Sequence, residues 1–120
     1  MQLMSIDFES FYSKSYSLSK LTTEAYINGD EFEVIGLSIK LGDTPTAWYT
    51  GDQLEITRVL NQFNWKDITL IAHNCFFDAS ILSLYFGIFP VRYIDTLSMA
   101  RAIHGISVGG SLAKLATHYD

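Results

Sequence analysis

Apolar residues come in short strand-like runs early in the chain and at helical spacing later. Gln2–Phe8 is a nearly continuous run, apolar on both sides, which predicts a central first strand. Ser10 to Ser19 is rich in serine and tyrosine and reads as a loop, with a short helix around Ser19–Tyr26 and a turn at Asn28-Gly29-Asp30. From Phe32 to Leu41 the pattern alternates, with Ile35, Leu37, Ile39 and Leu41 on one face and Val34, Gly36, Ser38 and Lys40 on the other. Gly42-Asp43 is a hairpin-type turn, and Thr46–Thr50 returns as a third strand.

The period then changes. Ile56, Val59, Leu60 and Phe63 share one helical face, with Asp52 as N-cap and Glu55 three residues on. Ile68–Ala72 is a short buried strand. Phe77, Ile81, Leu84 and Tyr85 repeat the helical stripe until Gly87 stops it. Val91–Ile94 forms a fifth strand, followed by a helix from Thr96 to His104 that Gly105 ends. Ser111 caps a last helix, with Leu112, Leu115, Ala116 and Tyr119 on one face. Turn-linked strands pair antiparallel and helical crossovers give parallel neighbours. The order predicts an α/β fold in one domain, 1–120: a mixed five-stranded sheet, three antiparallel strands then parallel βαβ units, flanked by helices.

Composition adds limits. The chain has 120 residues, nearly half of them apolar, enough for one small core. Its single cysteine, Cys75, rules out an internal disulfide and suits a reducing cytoplasm. No run is long enough to span a membrane, so no membrane partner is expected. The net charge of −5 argues against tight, metal-free binding of nucleic acid. It argues less against a metal nuclease, because bound cations reverse the sign of the site facing phosphate.

The candidate chemistry lies at two strand ends. Asp7 and Glu9 are two residues apart, so in a strand they share a face and repel unless a cation sits between them. Asp78 follows another apolar run, at a helix start after His73-Asn74. Three carboxylates brought together suit hard divalent cations. Taken singly, each is ordinary: Asp7-x-Glu9 a solvated strand end, Asn74 an N-cap, Asp78 a first-turn acid, His73 a turn residue, Asp95 a helix cap. Trp48, Trp65 and the eight phenylalanines read mostly as core, one or two of them facing a nucleotide groove.

The order of these motifs resembles the 3′–5′ exonuclease fold of the DEDD superfamily, a ribonuclease H-like architecture. Ile6-Asp7-Phe8-Glu9-Ser10 is similar to that family's first motif, and Asn74-Cys75-Phe76-Phe77-Asp78 to its second. Ile94-Asp95-Thr96-Leu97 and Ser111-Leu112-Ala113-Lys114-Leu115-Ala116 resemble segments leading to the third. Ser17–Leu21, Ala25–Ile27 and Phe32–Ile35 resemble the N-terminal proofreading domains of bacteriophage family A DNA polymerases. The third motif, a Tyr or His followed by a fourth carboxylate, is missing: Tyr119-Asp120 has the wrong spacing and His104 has no acidic partner. The resemblance therefore implies a C-terminally truncated domain, weak in activity by itself and prone to self-association.

It also implies two Mg²⁺ or Mn²⁺ ions held by Asp7, Glu9 and Asp78, with Ser10 and Asn74 contacting the terminal nucleotide. The implied substrate is the 3′ end of single-stranded DNA, released as 5′-mononucleotides. The implied partner is a polymerase domain in the full-length protein, in the cytoplasm of a phage-infected bacterium. A non-catalytic module of the same fold and an RNA-directed exonuclease of the same chemistry are the alternatives.

Overall fold

The computed structural model describes residues 1–119, so Asp120, and with it the Tyr119-Asp120 spacing, lies outside the described residues. Five strands form one sheet in the order β3-β2-β1-β4-β5. β1 (Gln2–Ser10) pairs antiparallel with β2 (Val34–Leu41), which pairs antiparallel with β3 (Ala47–Thr50). On its other side β1 runs parallel to β4 (Ile68–Ala72), and β4 parallel to β5 (Arg92–Asp95). This is the predicted mixed sheet, with β1 central.

The five helices are α1 (Thr23–Asn28), α2 (Gln53–Leu60), α3 (Cys75–Ser80), α4 (Thr96–His104) and α5 (Leu112–Tyr119). α2 begins with the expected capping box: Asp52 accepts from the Glu55 backbone N–H at 2.8 Å while the Glu55 carboxylate reaches back to the Asp52 N–H. Ser111 caps α5 through the Lys114 N–H, as expected. The short helix after the serine-rich loop starts later than expected, because Thr22 accepts from the Ala25 N–H and fixes its start there.

Four expectations about burial fail, each for a local reason. β1 is not apolar on both sides: Met4, Ile6 and Phe8 are buried while Leu3, Ser5, Asp7 and Glu9 are exposed. In β2 a register shift between Glu9 and Ser10 pairs Ser10 with Val34, so Val34 turns inward and Ile35 outward. After α3 the backbone widens into a π-helical turn, Ile81–Tyr85, which buries Ile81 and Leu82 and leaves Leu84 exposed. The apolar face of α5 stays open, with Leu112 and Tyr119 exposed.

The core sits on the buried face of β1 and β2. Phe8 stacks on Phe86 at 6.0 Å between centroids, and Phe32 meets Tyr26 and Tyr85 edge-on at 5.4 and 4.9 Å. α3 lies against β1, β4 and β5. That contact carries its first turn to the end of β1.

Candidate active site

β4 pairs with β1 only as far as Ser5, opposite Ile71, and ends at Ala72, which still pairs with Asp95 of β5. The backbone of β1 beyond Ser5 therefore lacks a strand neighbour on that side. Asp78 takes the place: its Oδ1 accepts from the Phe8 backbone N–H at 3.0 Å. Phe8 lies between Asp7 and Glu9, so one bond across 70 residues of sequence brings the third carboxylate to the strand end carrying the first two.

The turn that aims α3 is built from polar groups. His73 Nε2–H donates to the Gly110 carbonyl at 2.6 Å, and its Nδ1 lies 3.0 Å from Thr96 Oγ1. Asp95 accepts from the Asn74 N–H at 3.0 Å and the Leu97 N–H at 2.9 Å, capping α4 and pinning the turn together. Burial raises the Asp95 carboxyl, but these and neighbouring backbone N–H groups outweigh it and hold the carboxyl below its ordinary value. His73 and Asp95 are thus anchors, as the sequence suggests. Asn74 stands at the N-cap position of α3, as its sequence position implies, but does not cap it in the usual way. It adopts a left-handed conformation, φ 60° and ψ 61°, and its side chain makes no cap bond.

The three carboxylates differ sharply in exposure. Asp7 and Glu9 are exposed on the open face of the sheet, whereas Asp78 is only 3% exposed. Burial is the main cause that lifts the Asp78 carboxyl to about 7; the Phe8 N–H opposes it, and Asp7 and Glu9 add to it. Repulsion among the three is thus the smaller effect, and desolvation the larger. All donors here are carboxylate oxygens, the chemistry that suits Mg²⁺ or Mn²⁺. Among the described residues, however, no three His, Cys, Asp or Glu side chains close into a metal-holding group. Asp78 is turned to the strand edge and the other two to its open face. The donor set fits a divalent cation in kind and in charge, with Asp7, Glu9 and Asp78 the residues that would hold it.

Beside this strand end lies a groove of about 320 Å³ lined by Phe8, Glu9, Ser10, Tyr12, Leu18 and Phe77, among others. Ser10 thus enters the site, half-buried, with its Oγ 2.8 Å from the Tyr26 hydroxyl. Tyr12 and Leu18 are exposed apolar groups at the groove that the serine-rich loop concealed; alternation of serine with large side chains is their signal in the sequence. Trp48 is 53% exposed and not core. It pairs with Ser38, itself paired with Asp7, so its side chain shares the open face with the two acids and covers Gly36.

A family model described as 3′–5′ exonuclease matches residues 4–119. Among solved structures, the chain is similar to that of Brucella melitensis NrnC bound to pGG, with a TM-score of 0.64 and 19% identity. That likeness covers 97% of this chain and 51% of the other, so this chain spans about half the length of that relative. At such identity it shows the fold, a ribonuclease H-like sheet flanked by helices. No curated protein matches the chain.

Proposed function

The chain belongs to the 3′–5′ exonuclease family, and on that premise we propose that it hydrolyses phosphodiester bonds at the 3′ end of single-stranded DNA, releasing 5′-mononucleotides. The observation that carries this reading is the Phe8 N–H bond to Asp78, which sets three carboxylates at one strand end beside an apolar groove. The terminal nucleotide enters that groove, its base stacking on Phe77, Leu18 and Tyr12. Ser10 and Asn74 contact its sugar and phosphate.

Asp7, Glu9 and Asp78 would hold two divalent cations, Mg²⁺ or Mn²⁺. When bound, such ions acidify water and neutralise charge on the leaving oxygen. Without a cation, this acidic strand end repels the phosphate it has to admit. Asp78 must also give up its proton to serve, since burial keeps that proton on to about pH 7.

The wider role we assign is proofreading beside a polymerase domain of the same protein, in the cytoplasm of a phage-infected bacterium. Its support is the likeness of residues 17–35 to phage polymerase proofreading domains. No helix among the described residues is long and apolar enough to cross a membrane. One observation favours a second reading, a non-catalytic module of this fold: the three carboxylates do not close into a ligand group.

The test uses 5′-labelled DNA and RNA oligonucleotides with Mg²⁺ or Mn²⁺. Stepwise shortening from the 3′ end, faster on DNA and ended by chelation, is expected. It should be slow, because these 120 residues hold no Tyr- or His-borne fourth carboxylate at family spacing. Asp7→Ala should lower it ~10²–10⁴-fold further. Binding without metal-dependent shortening would favour the non-catalytic module, and shortening of RNA alone would overturn the DNA assignment.

A further inference from the structure

Charge is unevenly placed along the chain. Of the thirteen acidic residues, all but Asp120 lie within residues 1–95. Residues 96–119, which form α4, α5 and their connection, hold no acid and carry Arg101 and Lys114, both exposed. Among the described residues the one ion pair joins the Met1 amine to Asp67, so neither cation is paired with a described carboxylate.

The two cations meet over a diglycine turn. Gly109 has a φ of 87°, a conformation that glycine adopts without penalty. A Cβ at Gly109 would stand 3.3 Å from Lys114 Nζ, and one at Gly110 would stand 3.6 Å from Arg101 Nε. Arg101 from α4 and Lys114 from α5 thus lie on adjacent residues of one bare turn. The two helices also touch at their far ends, where His104 bonds the Tyr119 hydroxyl and meets the His118 ring edge-on at 4.7 Å.

This turn is fastened to the carboxylate site. The Gly110 carbonyl accepts from His73, and His73 opens the turn that aims α3 and Asp78 at β1. Guanidinium and ammonium groups both recognise phosphate. A strand with repeating phosphates can engage the two cations together, while the acidic remainder of the chain repels it.

We infer that α4 and α5 form a platform for a phosphate backbone, on which Arg101 and Lys114 hold phosphates interior to the 3′ end of a nucleic-acid strand. Charge placement and geometry carry the phosphate-binding surface, while nucleic acid as its occupant rests on the exonuclease reading.

The test measures anisotropy of a 5′-fluorescein thymidine dinucleotide and dodecamer on the full chain in Ca²⁺, between about 50 and 200 mM salt. Hydrolysis of both in Mg²⁺ is read separately. Each single-strand phosphate neutralised adds about 0.7 to the slope of log affinity against log salt. Arg101→Gln with Lys114→Gln should lower the dodecamer's slope by about 1.4. Over that salt range, binding to the unaltered chain should then weaken about sevenfold more than binding to the double variant. The dinucleotide, too short to reach the platform from the site, should bind both alike. Arg101→Lys with Lys114→Arg should keep the slope, and so should Lys66→Gln, an exposed cation ahead of β4. Lys114→Gln alone should give half the effect, which keeps the test decisive if Arg101→Gln fails to fold; melting curves check each variant.

An unchanged dodecamer slope in a folded double variant or in Lys114→Gln overturns the inference, as does an equal loss in Lys66→Gln. If the unchanged slope comes with salt-sensitive self-association that the double variant lacks, the occupant is the acidic surface of a second copy instead. A lowered slope without hydrolysis upholds the platform while removing the catalytic reading, and hydrolysis with an unchanged slope does the reverse. No binding of either oligonucleotide removes both.

Discussion

At Asp78 a single buried carboxyl couples the site to stability. Its value of about 7 in the folded chain stands far above the ordinary 3.8. Between those values the folded chain holds a proton that the unfolded chain has lost, so stability declines as pH rises from about 4 to 7 and then levels off. The difference amounts to about 4 kcal/mol, enough to move the melting point by roughly 10–20 °C. In chelator the chain should therefore melt lower at pH 8 than at pH 5.5. Asp78→Asn, which still accepts from the Phe8 N–H, should flatten that dependence and raise the melting point at pH 8. Added Mg²⁺ should recover stability at pH 8 in the unaltered chain only. Calorimetry across pH 5–8 checks all three outcomes, and a melting point that rises with pH would refute the assignment. Asn74 gives a second prediction at this scale. Its left-handed backbone suits Gly and penalises β-branched side chains. Asn74→Gly should leave stability nearly unchanged in urea titrations, whereas Asn74→Val should cost about 1–2 kcal/mol.

Among the elements, the π-helical turn after α3 decides which residues reach the core. An uninterrupted α-helix with the stripe Phe77, Ile81, Leu84, Tyr85 would point Leu84 inward. The wider turn instead buries Ile81 and Leu82 fully and leaves Leu84 46% exposed. It also sets Tyr85 and Phe86 against Phe32 and Phe8, so the rear of the helix packs while Asp78 at its front stays at β1. Leu82→Ala should cost about 2–5 kcal/mol, as buried leucines do, and Leu84→Ala within about 0.5 kcal/mol. Urea unfolding of the two variants separates these cases. Equal costs would mean that the helix packs with the regular period after all.

On the scale of the whole molecule, the described residues form a slab 41 × 39 × 22 Å. The thin dimension leaves room for a sheet and one helical layer at about 10 Å per layer. The face of β1 away from the core remains open, with Leu3 49% exposed in line with Asp7 and Glu9, and Trp48 two strands away. Exposed apolar residues on a flat sheet face favour association. Sedimentation of the chain should show mass rising with concentration, and Leu3→Lys with Trp48→Ser should suppress the rise. A strictly monomeric 13.5 kDa species at high concentration would count against this.

What could be read without coordinates was set by neighbours in sequence. Strand and helix periods, the Asp52 capping box, the Ser111 cap and the alternation that puts Asp7 and Glu9 on one face are all local geometry. So the mixed sheet and all three candidate acids were legible from the residues alone, Asp78 through its place at a helix start after an apolar run. The rest depended on contacts between distant segments. A register shift at Glu9 and Ser10 reversed Val34 and Ile35, and a π-helical turn exchanged Leu82 for Leu84. Asn74 stands at the N-cap of α3 in a left-handed conformation, and its backbone N–H is held by Asp95 from the end of β5. The raised proton affinity of Asp78 arises from desolvation, which exists only once α3 has docked on β1. A chain's local pattern can place a carboxylate at a helix start, but only tertiary burial sets its charge.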